Sequence, residues 1–143
     1  MIRSAQAEDI PEVRTLFQEY ADSLGVDLCF QNFARELAEL PGNYETILLV
    51  PNAACVALRP LSPEIGEMKR LYVRPQYRGQ GLGRQLTEAI ISQARVKGYR
   101  SLRLDTLPQL QTAIAMYRRL GFREIDPYNS NPVPGVLFME LTL

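Results

Sequence analysis

The stretch RPQYRGQGLGRQL, residues 74–86, sets glycines at 79, 81 and 83 between Arg78 and Arg84. Glycine lets backbone approach a ligand closely. Open amides ahead of a helix, with the helix dipole behind them, suit an anion and above all a pyrophosphate. Flanking arginines add charge-assisted hydrogen bonds. A plain strand-to-helix turn would need fewer glycines and no arginines. The phosphate-binding loop of nucleotide hydrolases requires Gly-Lys-Ser/Thr, and here Arg84 and Gln85 follow Gly83. The dinucleotide fingerprint requires a third glycine where Arg84 stands. The chain contains no histidine. Ser-His-Asp and Cys-His catalysis and a histidine-ligated metal are therefore excluded, and no metal is expected. Proton transfer falls to Glu, Asp, Tyr, Lys or Cys. Cys29 and Cys55 have neither metal nor redox spacing, and their apolar contexts predict buried, reduced thiols.

The elements that must position this loop fit one domain spanning residues 1–143. Hydrophobic residues make up 46% and charged residues 22%, with zero formal net charge. No long run of one sign points to a nucleic-acid partner. No apolar run spans a bilayer, and the N-terminus lacks the apolar core of a secretory leader, so a cytoplasmic protein without membrane attachment is expected.

Residues 2–5 read as a short strand. Ile10, Val13, Leu16, Phe17, Tyr20 and Leu24 then fall at helical spacing, stopped by Gly25. Residues 32–40 predict a second helix. Residues 46–50 and 53–58 predict a short hairpin, and Pro60 and Pro63 bracket the loop after it. Residues 65–73 read as a longer strand, on which strict alternation sets Glu67, Lys69, Leu71 and Val73 on one face unless a bulge shifts the register. After the glycines come a helix ending near Gly98, a strand at 101–106, a helix at 112–120, a short strand at 123–125 and a final strand at 136–143. The pattern is α/β with mixed sheet pairing.

The segment EMKRLYVRPQYRGQGLGRQL resembles the acyl-CoA-binding motif of the GNAT superfamily of N-acetyltransferases, through Leu71, Val73, Pro75, Arg78, Gly81 and Gly83. The second family signature, Ala-x3-Tyr-x3-Gly-Phe, is matched by Ala113, Tyr117, Gly121 and Phe122. The opening IRSAQAEDIPEVRTLF is similar to the family's first strand and helix, so the resemblance covers nearly the whole chain. It implies a mixed, mostly antiparallel sheet of six to seven strands flanked by about four helices. It implies acetyl-CoA as co-substrate, with pantetheine lying along Leu71, Tyr72 and Val73. The pyrophosphate would lie on the loop of Arg78, Gly79, Gln80, Gly81, Leu82 and Gly83, with Arg84. It implies Tyr117 as the acid that protonates the leaving thiolate, and Glu67 as a candidate base acting through water, paired otherwise with Lys69 or Arg70. Many members carry an asparagine where this chain has Leu110.

The same resemblance puts the acceptor pocket beside residues 25–33 and 126–135, where Asp27, Gln31, Tyr128 and Asn129 are candidate selectors of a primary amine on a small molecule or peptide. Direct attack in a ternary complex is expected, since neither cysteine sits where its pKa would fall. Two readings stay open beside it: a non-catalytic acyl-CoA-binding module and a nucleotide-binding protein. A homodimer through the final strand is expected if that strand forms an open edge.

Overall fold

The computed structural model describes residues 1–26 and 32–143. In chain order the elements are β1 (Arg3–Ser4), α1 (Ile10–Leu24), α2 (Phe33–Glu39), β2 (Thr46–Val50), β3 (Ala54–Ser62), β4 (Ile65–Val73), α3 (Leu82–Val96), β5 (Ser101–Thr106), α4 (Gln111–Arg119), β6 (Arg123–Ile125) and β7 (Leu137–Thr142). The strands form one sheet in the order β1-β2-β3-β4-β5-β7-β6. Every neighbouring pair is antiparallel except β4–β5. This is the mixed, mostly antiparallel architecture that the family resemblance implies. No helix among the described residues is long and apolar enough to cross a membrane.

The core lies in two layers, one on each face of the sheet. On one face α3 buries Leu86, Ile90 and Ala94 at four-residue spacing against Val56, Leu58 and Leu102, with Tyr117 of α4 in the same layer. On the other, Val13, Leu16 and Phe17 of α1 and Phe33 of α2 cover Leu49, Cys55 and Ala57. Each such Leu, Ile or Phe contributes about 1.5–3 kcal/mol on burial, so the sheet between the layers is firmly held. Pro60, expected in a loop, lies inside β3 instead. The last pair with β2 is Thr46↔Leu58, so beyond it β3 has β4 alone as neighbour, and an open edge tolerates proline.

Two local departures shape the centre. Between Cys55↔Tyr72 and Ala57↔Lys69, β4 spends one residue more than β3. This bulge is marked by Arg70, whose φ of 61° is left-handed. It reverses the alternation. Met68 and Leu71 join the α3–α4 layer while Tyr72 joins the α1–α2 layer. Leu71 and Val73 therefore do not share a face with Glu67 and Lys69, contrary to strict alternation. The second departure is that β4 and β5 pair only from Ile65↔Ser101 to Glu67↔Arg103. Past that point the two strands part, and β5 keeps β7 as its strand neighbour through Leu104↔Met139, Asp105↔Phe138 and Thr106↔Leu137.

The final strand is not an edge. β7 sits between β5 and β6, so the expectation of a dimer formed through it loses its basis. Three residues of β6 form the outer edge at that end. Non-local pairing of this kind leaves no trace in local alternation.

Arg70 is held by Glu36 of α2 through Nε to Oε2 at 2.9 Å and Nη2 to Oε1 at 2.7 Å. Its side chain is 2% exposed and rests against Tyr20 and Phe33. Burial pushes the Glu36 carboxyl up, but the hydrogen bonds and charge of Arg70 outweigh it and hold it below the ordinary value. A depressed carboxyl stabilises the fold above its unfolded pKa and ceases to do so as pH falls through the folded value. Glu36→Gln is thus expected to cost about 3 kcal/mol near neutral pH. Denaturant titrations from about pH 6 down to about pH 3 should show the gap to the parent closing.

Candidate active site

The parting of β4 from β5 opens a cleft of about 690 Å³. One wall is β4 from Met68 to Val73, and the other is Leu104–Thr106 of β5 with the first turns of α4. The glycine loop closes one end. Before α3 the chain makes a short 3-10 turn at Pro75–Tyr77, then passes Gly79 and Gly81 with φ of 78° and 81°. Only glycine takes that conformation without strain. Gly81 caps α3 with no side-chain hydrogen bond. The backbone amides of residues 79–84 have no backbone acceptor among the described residues. Those of Gly79, Gly81, Leu82, Gly83 and Arg84 belong to residues lining the cleft and are open to solvent or to a ligand.

Gly83 differs from the other two. Its φ is not positive, and a Cβ placed there would meet only Val73 Cγ2, at 4.0 Å. Nothing in the protein itself requires glycine at that position. It lines the cleft, so the space kept free is space for a ligand.

The structure brings most of the candidate cofactor residues together. Leu71, Tyr72, Val73, Arg78, Gly79, Gly81, Leu82, Gly83 and Arg84 all line this cleft, while Gln80 does not. Arg78 donates Nε to the Val73 carbonyl at 2.9 Å, which ties loop to strand. Arg84 is largely exposed and stands 3.7 Å from Glu88.

Tyr117 projects from α4 into the cleft, its ring 5.6 Å from that of Phe122. Two signature residues, one on the helix and one past Gly121, thus support each other. Its hydroxyl makes no hydrogen bond among the described residues. Burial, with a smaller contribution from Tyr20, holds the phenol well above its ordinary pKa. It therefore stays protonated over the whole neutral range and has a proton to give. Leu110, the residue that caps the start of α4, also lines the cleft and presents an apolar wall.

Glu67 is placed elsewhere. Its side chain is 1% exposed, Oε1 accepts from Arg59 Nε at 2.8 Å, and Oε2 accepts from the Tyr128 hydroxyl at 2.7 Å. Neither Glu67 nor Tyr128 lines the cleft. The pairing partner is Arg59, directly opposite on β3, rather than Lys69 or Arg70. Asp27 and Gln31 lie outside the described residues, as does Cys29. Asn129 donates to Asp105 at 3.0 Å.

Among the cleft residues not put forward as site residues from the sequence are Lys69, Asp105 and Asn131. The signal available was charge inside strands, Glu67, Lys69 and Arg70 in EMKRLYV and Arg103 and Asp105 in LRLDT, which does not by itself say which of them face the cleft.

The family model described as "Acetyltransferase (GNAT) domain" matches residues 43–124, more than half of the chain. An uncharacterized N-acetyltransferase of Schizosaccharomyces pombe is 40% identical over 95% of this chain and 90% of its own. An amino-acid acetyltransferase of Mycobacterium tuberculosis is 25% identical over 99% of this chain and 76% of its own. Among solved structures, the ribosomal-protein-S18-alanine N-acetyltransferase of Escherichia coli superposes with a TM-score of 0.74 at 25% identity, over 99% of this chain and 92% of that one. A parted pair of central strands, an open-amide glycine loop between them and α3, and a sequence match running through both signatures agree with one another: the chain belongs to the GNAT acetyltransferases.

Proposed function

We propose that the protein transfers an acetyl group from acetyl-CoA to a primary amine by direct attack in a ternary complex. The observation that carries this reading is the composition of one cleft. Open backbone amides and Arg84 stand at the helix end, and a protonated phenol without a hydrogen-bond partner stands on the opposite wall. The amides of residues 79–84 would receive the pyrophosphate, and Gly83 leaves it room. The exposed β4 edge from Leu71 to Val73 would pair with the amides of the pantetheine arm as an added strand. A backbone amide at the β4 bulge would polarise the thioester carbonyl and stabilise the oxyanion.

The acceptor must attack as the free amine, although its ammonium has a pKa of about 10. The amine nitrogen forms a bond to the thioester carbon, and the C–S bond breaks. The amine proton leaves to solvent, and the CoA sulfur takes the Tyr117 proton, which solvent replaces. Holding amine and thioester together supplies much of the barrier reduction. An acyl-cysteine route through Cys55 is disfavoured: burial pushes that thiol up, and its Sγ donates to the Arg70 carbonyl at 3.4 Å. The relative named as an amino-acid acetyltransferase favours a small acceptor.

With both oxygens engaged, Glu67 serves the sheet in this reading rather than the amine. Glu67→Gln is expected to lower Tm while kcat of the folded protein stays within about threefold of the parent. General acid–base groups contribute roughly a hundredfold or more, so a loss of that size would restore Glu67 as the base.

Calorimetric titration with acetyl-CoA, CoA, ATP and NAD tests the reading as a whole. Saturable binding of acetyl-CoA, followed by thiol release with an amine, is the expected result. Binding without thiol release across a broad amine panel would reduce the protein to an acyl-CoA-binding module. ATP or NAD binding that acetyl-CoA does not displace would return the loop to a nucleotide.

A further inference from the structure

The cleft contains a polar pair that the chemistry above leaves unused. Lys69 comes from β4 just before the bulge, and Asp105 from β5 just past the last β4–β5 pair. Both stand where the strands separate, and both line the cleft. Their side chains are only 5% and 9% exposed, with Nζ 3.8 Å from Oδ1. That distance is too long for a hydrogen bond. Lys69 Nζ makes no hydrogen bond among the described residues. Asp105 Oδ2 accepts from Asn129 Nδ2 at 3.0 Å and Asn131 Nδ2 at 3.2 Å, which fixes the carboxylate and leaves Oδ1 without a donor.

Two nearly buried opposite charges with open hydrogen-bonding positions carry a desolvation cost that a bonded pair would recover. A ligand recovers it by offering the same two charges in reverse, an ammonium to Oδ1 and an anion to Nζ. Neighbouring Arg70 does not compete for that anion, because Glu36 already holds its guanidinium at two points. Tyr20, Leu107 and Val133, also in the lining, give the rest of such a ligand an apolar surface.

We propose that the acceptor is a small zwitterion of the amino-acid type, its ammonium docking on Asp105 and its carboxylate on Lys69, with one ammonium proton lost to solvent before the freed amine attacks. This inference rests on the acetyl-transfer reading above.

The test is thiol release from acetyl-CoA with each standard amino acid, beside its methyl ester and its decarboxylated amine. At least one free amino acid should exceed both its ester and its amine in kcat/KM by about tenfold to a hundredfold, the value of a charge-assisted hydrogen bond. Lys69→Met should abolish that preference. If that variant does not fold, the comparison of acid with ester on the parent protein decides alone. Esters or amines used as well as the acids would overturn the inference while leaving acetyl transfer intact. Failure of the parent to bind acetyl-CoA at all would instead overturn the acetyl-transfer reading, and this inference with it.

Discussion

Gly83→Asp should fold at least as well as the parent and bind acetyl-CoA at least about a hundredfold more weakly. The two halves of this result have separate causes. For the fold, the backbone at 83 is ordinary, and a Cβ there meets one methyl group at 4.0 Å. Residue 83 lies in the first turn of α3, where a carboxylate gains about 0.3–1 kcal/mol from the helix dipole. Removing a helical glycine gains up to about 1 kcal/mol more. For the ligand, the same carboxylate enters the space beside the open amides and repels a pyrophosphate. A Tm at or above the parent's, with binding lost by calorimetry, would establish the glycine loop as the pyrophosphate site. Gly81 is a poorer place to ask, since its φ of 81° strains any other residue and confounds folding with binding. Parent-like affinity in Gly83→Asp would remove the loop from the site.

Tyr117→Phe should lower kcat by about a hundredfold and leave both Tm and acetyl-CoA affinity where they were. The hydroxyl bonds to nothing among the described residues, so its removal breaks no contact and leaves no buried partner exposed. The ring contact with Phe122 remains. Only the proton delivered to the leaving sulfur is lost. Because burial holds the phenol above its ordinary pKa, the parent's kcat should show no basic limb from this group until beyond the ordinary tyrosine range. Thiol release measured at saturating acetyl-CoA reads the effect directly. Equal turnover in variant and parent would take Tyr117 out of the mechanism.

Much of the fold was legible because its signals are local. The helical spacing of Leu86, Ile90 and Ala94 meant what it ordinarily means, and the strand read at residues 101–106 is β5. The two signatures placed Tyr117 and the glycines in the cleft, since each is a contiguous motif whose geometry travels with it. What was misread depends on counting across strands. A single extra residue at Arg70 turned Glu67 away from Leu71, and no periodicity within β4 announces it. The partner of Glu67 is opposite on β3, so its ion pair with Arg59 follows from register rather than from nearness in sequence. The position of β7 between β5 and β6 likewise follows from long-range pairing. Lys69 and Asp105 became a pair only because two strands distant in sequence separate between them.

The insertion of β7 beside β5 also bears on when the cleft can exist. Leu104, Asp105 and Thr106 have no strand partner on the side that faces β4 and are laddered to residues 137–139 alone. A nascent chain still lacking those residues can close the hairpin of β2 and β3 and add β4, yet holds the far wall only through the short β4–β5 pairing and the packing of Leu102 and Leu104 beside α3. Closing the intervening loop is an entropic cost met only once the last strand is available. Completion of the ligand-binding cleft is thus expected late in folding, and a released chain truncated before residue 137 should keep the glycine loop but bind the co-substrate far more weakly.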